Sequence, residues 1–183
     1  MNYRECKIFT GATFLVPDNI ARIDSLPPVT NNAIHGWQLR YGDRIFFNDL
    51  TEDGSGAERS LNEAIQKLIQ LIHSVEAPAG LRRRQCSFKK SELPTGISGP
   101  IGSTRKGRKV KEYNFGVTIP RYGQKPTTKS VYIGTENTIT DERFNIALAK
   151  AVQIRNKAEL AYQEAKTQAR RASTPAPEPG SQP

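Results

Sequence analysis

The sequence predicts an α+β protein of two small units, each an antiparallel sheet of about three strands covered on one face by an α-helix. Three observations carry that expectation. The strings "RYGDRIFFNDL" at residues 40–50 and "RYGQKPTTKSVYIGT" at 121–135 both run through a segment containing Glu-Arg into an apolar pattern of helical spacing, so one order of elements is spelled twice. Strand-like alternation precedes each helical pattern. Charge divides the chain as well: residues 1–76 hold 7 Lys and Arg against 10 Asp and Glu, whereas residues 77–183 hold 20 against 8. A chain of 183 residues can bury one ordinary core or two small ones.

In order along the chain, "YRECKIFTGATFLV" reads as an N-terminal hairpin, and the prolines and asparagines of "LPPVTNN" break it off. "IHGWQLRY" and "RIFFND" read as two strands around the turn Gly42-Asp43. After "TEDGSG", Ser55 with Glu58 three residues later has the form of a capping box. Leu61, Ala64, Ile65, Leu68, Ile72 and Val75 then form one apolar stripe, and the helix is expected to end near Ala77-Pro78. "GLRRRQCSFKKSELPT" has neither period and reads as a connector. The expected organisation is therefore a first, acidic unit over residues 1–77, a basic linker over 78–95, a second unit over 96–171 and a disordered Pro-rich tail over 172–183.

In the second unit "GISGPIGS", "KEYNFGVTIPRY" and "KSVYIGT" read as strands, the first two joined by the basic turn "TRKGRK". Thr138 with Asp141 suggests another capping box, followed by a long helix whose stripe is Phe144, Ala147, Leu148, Ala151, Ile154, Ala158, Ala161, Tyr162 and Ala165. One helix covers one face of a sheet, so the other stays open. Alternation sends Tyr113, Phe115, Val117 and Ile119 toward the helix and leaves Asn114, Gly116, Thr118 and Pro120 on the open side.

Residues 81–129 carry 13 basic and 2 acidic side chains, the electrostatic footprint of a nucleic-acid binder. The expected contacts are Arg105, Lys106, Arg108, Lys109 and Lys111 in one turn, and Arg121, Lys125 and Lys129 in the next. Asn114, Thr118 and Tyr132 face the ligand on the sheet between them. Arg82, Arg83, Arg84, Lys89 and Lys90 form either a linker arm that tracks phosphates or enters a minor groove, or a solvated connector. In the first unit Arg40, Arg44 and Trp37 are further candidates, although a strand tryptophan beside an apolar helix is more often core.

The stretch 96–165, with its three strands, the string "VYIGT" and a helix carrying Glu142, Ala147 and Ala151, resembles the AP2/ERF-type DNA-binding domain. Similar three-strand modules occur in phage and transposon integrases and in homing endonucleases. Residues 31–76 resemble a weaker second copy. The resemblance implies a sheet placed in the major groove of double-stranded DNA. The chain departs from the plant members in that their arginine- and tryptophan-rich central strand is replaced by "YNFGVTIPRY".

Enzymatic readings find little in the residue inventory. His35 and His73 are the only histidines, and neither falls in an H-x-x-R pattern or beside the partners of a nuclease or Ser-His-Asp site. In "GSTRKGRK", Arg108-Lys109 replaces the Lys-Ser/Thr pair of a phosphate-binding loop. Cys6 and Cys86 stand far apart, signalling neither zinc nor a disulfide, and no cofactor or metal is expected. No apolar run reaches membrane-spanning length and the N-terminus lacks the order of a signal peptide, so an intracellular, nucleoid-associated protein is expected. The expected function is a non-enzymatic, sequence-preferring DNA binder, with residues 1–77 mediating self-association or partner recruitment. An RNA binder and a protein-interaction adaptor with a basic tether are the alternatives.

Overall fold

The computed structural model describes residues 1–25, 34–51, 53–78, 80–81, 92–104, 106–107 and 109–176. It is α+β, with three antiparallel sheets and two helices. The chain divides into two compact units, Met1–Pro78 with Thr167–Pro183, and Ala79–Lys166. The division at Ala79 falls inside the expected connector. The described residues 167–176 group with the first unit, whereas the sequence assigned 167–171 to the second, and the rest of the expected disordered tail lies outside the described residues. Thr174 is buried, and its hydroxyl donates to the Arg170 carbonyl.

In the first unit β1 (Tyr3–Lys7) and β2 (Thr13–Pro17) form the expected hairpin. A separate sheet has the order β3-β4-β5, with β3 at Ile20–Ser25, β4 at Ile34–Tyr41 and β5 at Asp43–Asn48. The sequence showed no β3. Its inward positions are Ile20, Arg22 and Asp24, registered against Leu39, Trp37 and His35, so charge on the core face breaks the apolar alternation. With this strand the first unit has the same order of three strands and then a helix as the second.

Helix α1 spans Ala57–Ser74, and its buried stripe is Ala57, Ser60, Leu61, Ala64, Leu68, Ile69 and Ile72. Val75 lies beyond it and is exposed. The expected Ser55–Glu58 capping box does not form, because the N-cap is Gly56. Gly56 is pressed against the Asp49 backbone, where any Cβ would collide with the Asp49 carbonyl. The position requires glycine, and the Gly56 N–H is taken instead by the Thr51 hydroxyl. Trp37, Leu39, Ile20, Val16, Leu68 and Ile72 make the core of this unit.

The second unit has the sheet order β6-β7-β8: β6 at Ile97–Ser103, β7 at Glu112–Arg121 and β8 at Gln124–Thr135. Helix α2 begins at Asp141 and continues to Ala172. Its N-terminal backbone is capped by Thr140, whose hydroxyl accepts from the Arg143 N–H at 3.3 Å. Thr138, the expected cap, instead accepts from the Thr135 N–H and closes the preceding turn. Phe115, Val117, Ile97, Val131, Ile133, Ala147 and Ala151 form the core, with Tyr113 and Ile119 half-buried against it. The helix-facing set of β7 is therefore the expected one. Of the stripe on α2, Ala161 and Ala165 are exposed. No helix among the described residues is long and apolar enough to cross a membrane.

Candidate nucleic-acid interface

The outer face of β6-β7-β8 is assembled from cross-strand rows. Asn114 stands between Ile101 of β6 and Tyr132 of β8, Gly116 between Ser98 and Ser130, and Thr118 beside Thr128. Ile101 and Tyr132 are 51% and 52% exposed, while Ile97, Val131 and Ile133 on the opposite face are buried. Among these polar groups the Ser98 hydroxyl donates to the Gly116 carbonyl at 3.3 Å. The Asn114 side chain is half-buried. Glu112 lies on the same side of β7 but is buried.

Ile101 was missing from the sequence-based set for an identifiable reason. Ile97 and Ile101 are four apart and would share a face in a regular strand. A register shift between Ser98 and Ile101 turns the second outward, opposite Asn114. On the other side Tyr132 stands opposite the same residue by plain alternation between buried Val131 and Ile133, and a further shift follows between Tyr113 and Asn114. The signal in the sequence was the Gly99-Pro100 pair inside a strand string, a common place for a bulge.

The basic side chains gather at the two ends of β7, which is about 30 Å long. Lys106, Lys109 and Lys111 are exposed at the β6–β7 end. Lys111 lies over the Tyr113 ring at 5.6 Å, and its carbonyl accepts from the Glu136 N–H. Arg121 and Lys125 are exposed at the other end, where the Arg121 Nε donates to the Lys125 carbonyl at 3.4 Å. The turn there is only Tyr122-Gly123, with Gly123 at φ 68, so Lys125 and Lys129 belong to β8 rather than to a turn. Lys129 is registered with Val117 and therefore stands on the helix side, away from Asn114 and Thr118. Arg105, Arg108, Arg82, Arg83, Arg84, Lys89 and Lys90 lie outside the described residues.

The chain matches no family model, no curated protein and no solved structure.

In the first unit Trp37 is withdrawn from any contact surface, since it is 0% exposed and its indole N–H donates to the Ala57 carbonyl at 2.8 Å. Arg40 and Arg44 face each other across β4 and β5 on the outer side, where Phe46 lies over Gly36.

Behind that sheet lies a polar cluster the sequence did not reveal. The Arg22 guanidinium grips both carboxylate oxygens of Asp49, at 3.1 and 2.6 Å, and its Nε donates to Asp24 at 2.9 Å. His35 Nδ1 meets the same Asp24 oxygen at 2.8 Å, and the Ser60 hydroxyl donates to Asp49 at 2.5 Å. The Phe9 ring stacks on His35 at 4.0 Å and Arg22 lies over Trp37 at 4.9 Å, which closes the cluster into the core. Burial pushes the Asp24 carboxyl up, but the hydrogen bonds and charges of Arg22 and His35 outweigh it and hold the group below its ordinary value. Among the described residues no group of three or more His, Cys, Asp or Glu side chains is arranged to hold a metal ion.

Proposed function

We propose that this chain is a non-enzymatic, sequence-preferring double-stranded DNA-binding protein, a regulator or an accessory or architectural factor of bacterial, phage or mobile-element type. The observation that carries the reading is the outer face of β6-β7-β8, where Asn114, Thr118 and serines lie beside exposed Ile101 and Tyr132, with exposed cations at both ends of the central strand. Three strands place the outer backbones about 9–10 Å apart. That width suits a major groove of about 12 Å, with side chains from the strands at base edges and the end cations on phosphates. The resemblance of residues 96–165 to AP2/ERF-type domains points the same way. In this reading the protein acts inside the cell, on the nucleoid.

The division of charge supports it too, because the excess of cations falls in the half of the chain that holds this face. Long-range attraction to a polyanion follows from that excess. The test is a titration of the full chain against a labelled duplex over a range of salt. The logarithm of affinity should fall linearly with the logarithm of salt, by about 0.9 per phosphate neutralised. Lys106→Ala, Lys109→Ala and Lys125→Ala are each expected to reduce that slope and to weaken all sequences alike. Absence of duplex binding at low salt, or tighter binding to single-stranded DNA or RNA of the same sequence, would overturn the reading.

A further inference from the structure

We infer that Asn114 is the base-reading residue of the outer face and that the row Ile101–Asn114–Tyr132 selects an A·T pair, a step that rests on the duplex reading above. A half-buried amide on an open sheet face keeps its donor and acceptor available to a ligand. The Asn114 amide is half-buried on the outer face of the central strand. It is also the one outward side chain of β7 that offers a donor and an acceptor side by side, since Glu112 is buried, Gly116 has no side chain and Thr118 carries a single hydroxyl. The major-groove edge of adenine presents an N6 amino donor next to the N7 acceptor, which an amide meets with two parallel bonds. Guanine presents two acceptors there, so one end of the amide would face a like group.

The flanking residues fit the other half of the pair. Thymine carries a C5-methyl group in the major groove, and Ile101 and Tyr132 offer apolar surface on both sides of Asn114, each about 4.8 Å away across the sheet. Gly116 follows on the same face, where a Cβ would meet the Ser98 hydroxyl at 2.9 Å. Without a side chain there, a base edge can approach Asn114 closely.

The strand irregularities are an independent observation. Both neighbours of β7 shift register at Asn114, and the shift in β6 is what turns Ile101 away from the face that holds Ile97. The shift in β6 interrupts a ladder of backbone hydrogen bonds and leaves Ile101 in water, so it does not serve the core. What it achieves is the row, because it sets Ile101 opposite Asn114, where Tyr132 already stands by ordinary alternation on β8.

The experiment is selection of a randomised duplex library by the full chain, followed by affinity measurements on the selected site. The native protein is expected to require an A·T pair at one position. Asn114→Ala should bind unselected duplex within about twofold of the native protein yet lose roughly 5- to 100-fold of its preference at that pair. Asn114→Asp, which keeps the shape but replaces the donor with an acceptor, should shift the preference toward cytosine, whose N4 amino group is a donor. Replacing the thymine by uracil should weaken the native protein several-fold and leave an Ile101→Ser, Tyr132→Ser variant unaffected. An unchanged base preference in both Asn114 variants would overturn this inference while leaving duplex binding intact. Failure of the native protein to bind any duplex would instead overturn the function on which it rests.

Discussion

Asp49 is fully buried, and a carboxylate removed from water is stable only when its charge and lone pairs are met. Arg22 supplies two donors and Ser60 a third, while Asp24 takes the remaining face of the guanidinium and His35 caps Asp24. Asp24 is the member with a pH consequence. Its folded-state value lies below the ordinary 3.8, so its contribution to stability is fully present above that value and is lost as pH falls through the lower, folded value. The window of loss is thus below about pH 4. Asp24→Asn should be less stable than the native protein at neutral pH, because charge-assisted bonds become neutral ones. Its stability should also fall less between about pH 5 and pH 2. Urea titrations followed by the fluorescence of Trp37, the chain's single tryptophan, would check this, and parallel losses in both proteins would remove Asp24 from the account. This cluster also explains why β3 was illegible. Periodicity assumes that the inward side is apolar, and here it carries Arg22 and Asp24, which only their partners on β4, α1 and the β5–α1 connection make tolerable.

The elements whose periods are clean were readable, and the errors cluster where a backbone requirement overrides a side-chain pattern. Gly56 displaces the Ser55 cap because Asp49 approaches too closely for any Cβ. Strand β8 starts five residues before the string "KSVYIGT" despite Pro126, which an edge strand accommodates because one row of its N–H groups needs no partner. Pro120, in the central strand, falls at the register shift between Ile119 and Arg121, and Pro100 falls at the shift in β6. Arg155 is the helix residue that an apolar stripe concealed. It is buried, donates from Nη1 to the Thr118 carbonyl and from Nε to Glu159 at 2.6 Å, and packs on Gly96 where a Cβ would lie 2.7 Å away. Since Thr118 also donates its N–H to the Gly96 carbonyl, Arg155 ties α2 to the strand that carries the open face. Arg155→Met keeps the apolar stem and removes the donors, so it should lower stability by about 1–3 kcal/mol. Far-ultraviolet circular dichroism during urea unfolding is the suitable readout, because Trp37 reports on the other unit. An unchanged midpoint would show that the tie is dispensable.

On the scale of the whole chain, the doubling was legible because charge and element order change together, but the composition of the units was not. A sequence is read in one direction and assigns neighbours to one unit, whereas the first unit takes in residues from both ends of the chain. Arg170 donates to the Asn19 side chain at 2.6 Å and lies over the Tyr41 ring at 5.9 Å. Arg171 donates to the Ile72 carbonyl near the end of α1, where cations suit the unsatisfied carbonyls of a helix terminus. The Thr167 hydroxyl accepts from the Ala77 N–H, and the N-terminal amine donates to the Ser173 carbonyl at 2.8 Å. A chain ending at Lys166 would lose all of these together. Net values of about 0.5–1.5 kcal/mol for a hydrogen bond, discounted for those at the surface, put the expected loss at about 2–4 kcal/mol in the first unit. The Trp37 fluorescence midpoint should fall accordingly, and a fragment of residues 1–77 alone should be destabilised in the same way. Adding back residues 167–176 by fusion after residue 77 should restore part of the loss, since the partners Asn19, Ile72 and Ala77 are all present in the fragment. A truncated chain whose Trp37 transition matches that of the full chain would mean that residues 1–78 hold their core without the returning segment, and the contiguous boundary read from the sequence would then be the better description of the folding unit.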